Sequence, residues 1–279
     1  MLEEGSLSLA KKHEENFTVD NETAPRNDAI VFLKRYSHLL RWQPYEENIL
    51  DIGCGDGSVT KEVLYPYLKE HVGRLEAVDL SKDMIEHAKM YNELKNVHYR
   101  TVDMNSDAEV QSLGMKFDHI FSFYCIHWIL DQRSLFKRLH NLLNQGGQIF
   151  IATLSDSSLH KTFKKYFKEG TWSKFLPNAC GFTDYTEKPI EFMINLLEEI
   201  GFEIQLCTTE KHATPFDNFK GFIRSLVSVH RFINFIPEEF REEYILSHIM
   251  DNCEYSIYSE DTGKYSWAYE SFMIIASKK

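Results

Sequence analysis

Cysteine is sparse and scattered in this chain. Cys54, Cys125, Cys180, Cys207 and Cys253 form no CxxC pair and stand at no histidine spacing that frames a zinc site. A disulfide scaffold is therefore excluded as the basis of the fold, no metal is expected, and reduced thiols in a cytoplasmic setting are the expectation. Long hydrophobic runs are missing too: nowhere do eighteen apolar residues follow one another, so no membrane-spanning helix is expected. The opening stretch, MLEEGSLSLAKKHEENF, is charged and has no apolar h-region, so no secretion signal is expected. Positive charge is short as well, with 31 Lys and Arg against 42 Asp and Glu and a formal net charge of −11. Such a field repels polyanions, and the basic clusters KKHEEN and HKTFKKYFK are brief, so nucleic acid is a poor partner. An anionic substrate would have to be recognised by local donors. What the chain does have is 279 residues, 43% of them hydrophobic and 14% aromatic, which is ample for a packed core.

Apolar runs and turn signals alternate from about 29 to 154. The spacing of Ala29, Ile30, Phe32, Leu33, Tyr36 and Leu40 predicts a helix capped by Asp28. Strands are expected at 48–52, 74–78, 97–101, 119–123 and, after the turn NQGG, at 148–153. Helices are expected at 59–68 and after Ser81, which is placed to cap a helix carrying Met84, Ile85 and Ala88. Alternation of this kind predicts an α/β fold with a parallel sheet and helices on both faces. Further on, the pattern predicts a polar helix at 158–168, a helix at 189–200, a sixth strand entered through Gly201 and a last strand at 271–277. Phe219, Phe222, Ile223, Leu226, Val227 and His230 repeat at offsets of three and four, and 211–258 reads as a mostly helical insertion. The expected organisation is one domain over 1–279. Its core comes from 28–154, 189–210 and 259–279, and its cap from 1–27, 155–188 and 211–258, closing over the substrate and excluding water.

The run ILDIGCGDGSVT, residues 49–60, reads as a strand, a glycine turn and a helix start. Gly53, Gly55 and Gly57 let backbone N–H groups approach a ligand without a Cβ in the way. Phosphate, dinucleotide and nucleoside binders share such turns. The spacing here is GxGxG, and Ser58 stands where a dinucleotide GxGxxG has its third glycine, which disfavours a nicotinamide-dependent oxidoreductase. Asp51 is placed either to accept from an ammonium group or to hold the loop. Asp79 ends the next strand, where a carboxylate can take both ribose hydroxyls. Together with AVDLSKDMIEHA and VDMN, the pattern resembles the class I S-adenosylmethionine-dependent methyltransferases. The resemblance covers about 28–155. It implies a Rossmann-like, mostly parallel seven-stranded sheet, S-adenosyl-L-methionine as cofactor and S-adenosyl-L-homocysteine as product. It also implies that Gly53 and Gly55 pass the methionine moiety, that Asp79 holds the ribose, and that Asp103 with Met104 meets the adenine. Cys54, Leu80, Met84 and Ser122 complete the expected cofactor set, Met84 being equally readable as a core helix residue.

The stretch FSFYCIHWIL, 121–130, puts His127 and Trp128 at the end of an apolar run, where the donor methyl belongs in such a sheet. A carboxylate acceptor is ionised at neutral pH and needs no general base; it needs donors that orient it and leave one oxygen free. An indole N–H is donor only and a neutral imidazole offers one N–H, so Trp128 and His127 suit the task. The alternative is a Trp128 packed under the cap and a His127 satisfied within the core. The HW pair resembles small-molecule carboxyl methyltransferases. The wider FSFYCIHWILDQ and the segment FDNFKGFIRSLVSVHRFINFIPEEFREEYI resemble insect juvenile hormone acid methyltransferases and the related aconitate methyltransferases. That implies methyl esterification of a small farnesoid or fatty acid, with Arg26, Tyr124, Trp128 and Phe222 as the substrate-binding set. One departure stands out: the family usually carries a glutamine donor before an RDA-like stretch, whereas this chain has NETAPRNDA, with Pro25 nearest that place. Losing a hydrogen bond to a charged group costs about 1.5–3 kcal/mol, which slows turnover about ten- to a hundredfold unless Arg26 takes over or the substrate differs from the hormone acid. Transfer to nitrogen, a phenol or a thiol is the alternative reaction, and a cofactor-binding relative with weak activity is the other.

Overall fold

The computed structural model describes residues 24–157, 165–166, 170–176, 183, 188–216, 232–253, 257–259 and 264–279. The chain divides into two compact units. The larger comprises Ala24–Ser155, Thr183–Glu210 and Ser271–Lys279; the smaller draws on Asp156–Phe182 and Lys211–Glu270.

The sheet is built from β1 (Glu47–Ile52), β2 (Val72–Asp79), β3 (Val97–Thr101), β4 (Phe117–Phe123), β5 (Leu143–Ser157), β6 (Phe202–Phe216) and β8 (Lys264–Lys278), in the order β3-β2-β1-β4-β5-β8-β6. A short β7 (Ile257–Ser259) pairs antiparallel with β8 off this path. β1 runs parallel to both β2 and β4, β2 to β3, and β4 to β5. Every residue of β4 is buried, as expected of a strand covered on both faces. The chain leaves β1 toward β2 and β3, then returns to lay β4 on the other side of β1. The order reverses between β1 and β4, and ligands of open α/β sheets bind outside the strands' carboxyl ends at such a point.

Side-chain alternation divides the core of the larger unit between the two faces. Ile49, Phe121, Phe150, Met273 and Ile275 pack with α1 (Ala24–Tyr36) and with the segment formed by a π-helical turn, Thr60–Leu64, and α2 (Tyr65–Leu68). The same cluster takes Ile85 and Ala88 of α3 (Lys82–Tyr91). Leu50, Ile52, Ile120, Ile149, Phe272 and Ile274 pack instead with Val110 of α4 (Asp107–Gln111), with Leu135, Phe136 and Leu139 of α5 (Gln132–Leu142), and with Met193 and Leu197 of α6 (Pro189–Ile200). Burying each such side chain is worth about 1.5–3 kcal/mol. Ser81 caps α3 by accepting from Met84 N at 3.3 Å, and α6 opens on Pro189 and ends at a left-handed Gly201.

Several expected boundaries move. α1 begins at Ala24, so Asp28 lies inside the helix rather than at its cap, and its carboxylate is taken by another partner described below. β5 starts at Leu143 and contains the NQGG run. Phe117 pairs with Leu143 and His119 with Gln148, so the extra residues bulge out of the ladder around Gly146 at φ +77°. β6 continues to Phe216 and β8 starts at Lys264, so the stretch from 211 is not helical throughout. Within the smaller unit these extensions meet, with His212 stacked on Tyr269 at 5.2 Å and Thr214 Oγ1 donating to Tyr269 Oη at 3.3 Å. Cross-strand partners supplied by β8 carry β6 past the boundary expected at 210. That unit has an aromatic centre of its own. Tyr244 of α7 (Arg241–Cys253) is fully buried edge-on to Trp172, whose Nε1 donates to Ser247 Oγ at 3.0 Å. Phe219, Phe222 and His230 lie outside the described residues, as does most of the polar helix expected at 158–168. Among the described residues no helix is long and apolar enough to cross a membrane.

Candidate active site

The glycine turn leaves β1 tied to the end of β2: the amides of Gly53 and Cys54 both donate to Val78 O, at 2.7 and 3.1 Å. Its glycines differ in what they admit. A Cβ on Gly53, at φ +77°, would lie 2.2 Å from Cys125 Cβ, so the turn after β4 can rest against it only because that atom is missing. Gly55, at φ +55°, faces open space for 4 Å and presents bare backbone. Its amide donates to Asp79 Oδ2 at 3.0 Å, while Asp79 Oδ1 accepts from Ser81 N at 2.8 Å. Asp79 is thereby fixed, yet each oxygen keeps a second lone pair. Beyond β3, Asp103 Oδ1 accepts from Asn105 N and Nδ2 at 2.8 and 3.1 Å. Asp51 is buried and accepts from Thr60 Oγ1 at 2.6 Å, so of its two expected roles the structure shows it holding the loop to the π-helical turn. Burial raises its carboxyl to about 6, with Asp79's charge adding to the rise and the Thr60 hydrogen bond opposing it. Cys54 is also buried, and desolvation holds its thiol well above the ordinary range.

The second component is the turn after β4. Tyr124 adopts φ +54°, and Ile126–Trp128 form a 3-10 turn closed by Trp128 N to Cys125 O at 3.0 Å. His127 is buried with Nδ1 3.1 Å from Thr153 Oγ1, and its ring lies 5.2 Å from that of Trp128, which is partly exposed. Thr183 N donates to His127 O at 2.9 Å. The Gln132 amide group donates to Ile126 O, Ile129 O and Thr183 Oγ1 at 2.9, 2.6 and 3.0 Å. β1 and β4 are adjacent with Ile52 opposite Ser122, so the glycine turn and this turn leave the sheet side by side.

A family model described as "Methyltransferase domain" matches residues 26–206 of this chain. The chain belongs to that methyltransferase family. It is similar to a juvenile hormone acid O-methyltransferase of Bombyx mori, 27% identical over 230 residues that cover 80% of this chain and 80% of that protein. The corresponding protein of Drosophila melanogaster is 24% identical over 226 residues, 79% of this chain and 76% of that one. Among solved structures, a Haemonchus contortus phosphoethanolamine N-methyltransferase in complex with phosphomonomethylethanolamine and S-adenosylhomocysteine is 18% identical, with a TM-score of 0.51. The match covers 90% of this chain and 53% of that one, and carries the fold.

The methyltransferase uses S-adenosyl-L-methionine, and its residues fit that group. Gly55 offers open backbone, Asp79 a fixed carboxylate with lone pairs to spare, and Leu80, half exposed beside it, an apolar wall. Met84 is partly buried on α3, and Met104 belongs to the packed core. Ser122 is fully buried and donates to Ile52 O at 2.9 Å, a link between β1 and β4 rather than a hydroxyl turned to a ligand. Of the expected substrate set, Arg26 pairs with Glu62 at 3.1 Å and the Tyr124 hydroxyl is engaged by Asp28 and Ser271; Phe222 lies outside the described residues. Thr60, Thr153 and Gln132 were not expected from the sequence, and Asp28 was expected only as a helix cap. Thr153 and Asp28 act on partners 26 and 96 positions away, which no local pattern announces, whereas Gln132 also bonds carbonyls three and six positions back and the Thr nine residues after Asp51 stands where a hydroxyl could have been sought. No group of three or more His, Cys, Asp or Glu placed to hold a metal occurs among the described residues.

Proposed function

We propose that the protein is a carboxyl O-methyltransferase acting on a small apolar acid, farnesoid or fatty, of which juvenile hormone acid and farnesoic acid are examples. The observation that carries this reading is the braced turn bearing His127 and Trp128 beside the glycine turn. Bound S-adenosyl-L-methionine supplies an electrophilic methyl on a sulfonium. The chain's task is to bind the acid, orient it and exclude water. Trp128 Nε1–H donates to one carboxylate oxygen and leaves the other for in-line attack. His127 assists in the tautomer in which Thr153 Oγ1 donates to Nδ1, so that the ring proton sits on Nε2. An acid is already ionised at neutral pH, and so the reading needs no dedicated base. The names of the two insect relatives support it, as both denote transfer to an acid. A cytoplasmic setting belongs to the same reading, supported by the thiols of Cys54 and Cys207, which stand outside any disulfide.

The test is methyl transfer from labelled S-adenosyl-L-methionine to a panel of farnesoid, fatty and short polycarboxylic acids, with amines, phenols and thiols as controls. A base-labile labelled ester from an apolar acid is the expected product. Label appearing only on an amine, phenol or thiol, with a rate rising steeply near neutrality as a base deprotonates, would replace this reading with the alternative.

A further inference from the structure

Among the described residues Tyr124 is the one non-glycine residue with positive φ, +54°. In that region an L side chain is disfavoured by about five- to thirtyfold, so something must hold it. Its amide continues the ladder by donating to Ala152 O at 2.7 Å, and its side chain is gripped at the other end. The phenol's single proton goes to the Asp28 carboxylate, so the Ser271 hydroxyl, 2.7 Å away, donates to the phenol oxygen. Ser271 is fully buried on β8, and Asp28 sits on α1, one turn before Phe32 of the packed core. α1 is itself anchored elsewhere, by Arg26 to Glu62 and by Arg35 and Tyr36 to Glu210. Two separately fixed elements thus converge on one hydroxyl.

The left-handed residue sets the direction of everything after it. Cys125 rests on Gly53, and the 3-10 turn then presents His127 and Trp128. We infer that Asp28 and Ser271 are positioning residues for methyl transfer, holding Tyr124 in its left-handed conformation and so holding the turn that carries Trp128. The inference rests on the acceptor reading of that turn for its kinetic consequence, while its structural half stands independently. The glycine turn has its own ties to Val78 and Asp79, so releasing the clamp leaves cofactor binding in place.

The test compares Asp28→Ala, Asp28→Asn, Ser271→Ala, Tyr124→Phe and Tyr124→Gly in the full chain by amide hydrogen exchange, by affinity for S-adenosylhomocysteine and by kcat. In Asp28→Ala and Tyr124→Phe the peptide over 121–130 exchanges at least tenfold faster, kcat falls about five- to thirtyfold, and affinity for S-adenosylhomocysteine stays within about twofold. Asp28→Asn keeps an acceptor oxygen and rescues most of the protection; Ser271→Ala gives a smaller effect of the same kind. Glycine tolerates the left-handed region, so in a Tyr124→Gly background Asp28→Ala adds no further loss. Wild-type exchange over 121–130 in both Asp28→Ala and Tyr124→Phe would overturn the inference, as would equal losses from Asp28→Ala in the Tyr124 and Tyr124→Gly backgrounds. If no acid is methylated, the acceptor reading fails alone, because the exchange experiment still reports on the clamp.

Discussion

Polar groups gather at both ends of the sheet, and the two ends treat them differently. At the amino ends of the strands, Glu47, Asp118, His119 and Gln148 are almost wholly buried and tied to one another or to neighbouring backbone. Glu47 takes Gln43 N at 2.6 Å and His119 Nδ1 at 2.7 Å; Gln148 takes Arg41 N at 2.6 Å and donates to Leu39 O at 3.1 Å. Asp118 takes Asn48 N and Asn144 Nδ2 at 2.9 and 2.7 Å. At the carboxyl ends, Asp79 and Asp103 are partly exposed and accept mainly from nearby backbone, and Asp51 lies buried and accepts from Thr60. Closed networks rigidify a fold, whereas fixed carboxylates with lone pairs to spare are what a ligand needs. The difference separates scaffold from site without reference to any relative.

Breaking the closed end should cost the most stability. Glu47→Ala leaves the buried His119 Nδ1 and the partly buried Gln43 N without their acceptor, at about 1–3 kcal/mol each, for about 4 kcal/mol in all. A thermal midpoint lower by about 10 °C, with cofactor affinity within twofold in the folded fraction, is the expected outcome of calorimetry and titration. An affinity that falls in step with stability would dissolve the contrast.

The open end makes the next largest claim. Asp51 is raised from 3.8 to about 6 by burial, so the folded state favours its protonated form. Its contribution to stability is complete below about pH 4 and is lost as pH rises through 6, up to about 3 kcal/mol at about 1.36 kcal/mol for each pH unit between those values. Asp51→Asn, which keeps an acceptor for Thr60, should therefore raise the thermal midpoint by about 5 °C at pH 7.5 and leave it nearly unchanged at about pH 3.5. Equal shifts at both pH values would remove the strain assigned to the ionised carboxylate.

Local pattern carried the parts of this molecule whose causes are local. The βαβ alternation, the Ser81 cap, the Pro189 to Gly201 bounds of α6 and the glycine spacing all depend on residues a few positions apart. The misjudged parts depend on distant partners. β6 and β8 extend because each end has cross-strand neighbours, β5 absorbs NQGG as a bulge, and Asp28 belongs to Tyr124 rather than to its own helix start. At the site, the positions of Asp79 and of the His127–Trp128 pair were legible from strand order. The clamp on Tyr124 and the burial of Ser122 were not, because both arise from pairings across 70 residues or more.

The most direct test of the central claim is the single-turnover rate of Trp128→Phe with an acid accepted by the wild-type protein, measured beside its affinity for S-adenosylhomocysteine. Phenylalanine keeps an aromatic ring and removes the N–H. If that donor orients the carboxylate, the rate falls about ten- to a hundredfold while affinity holds within twofold. A wild-type rate would contradict the role of Trp128 and leave the indole as packing.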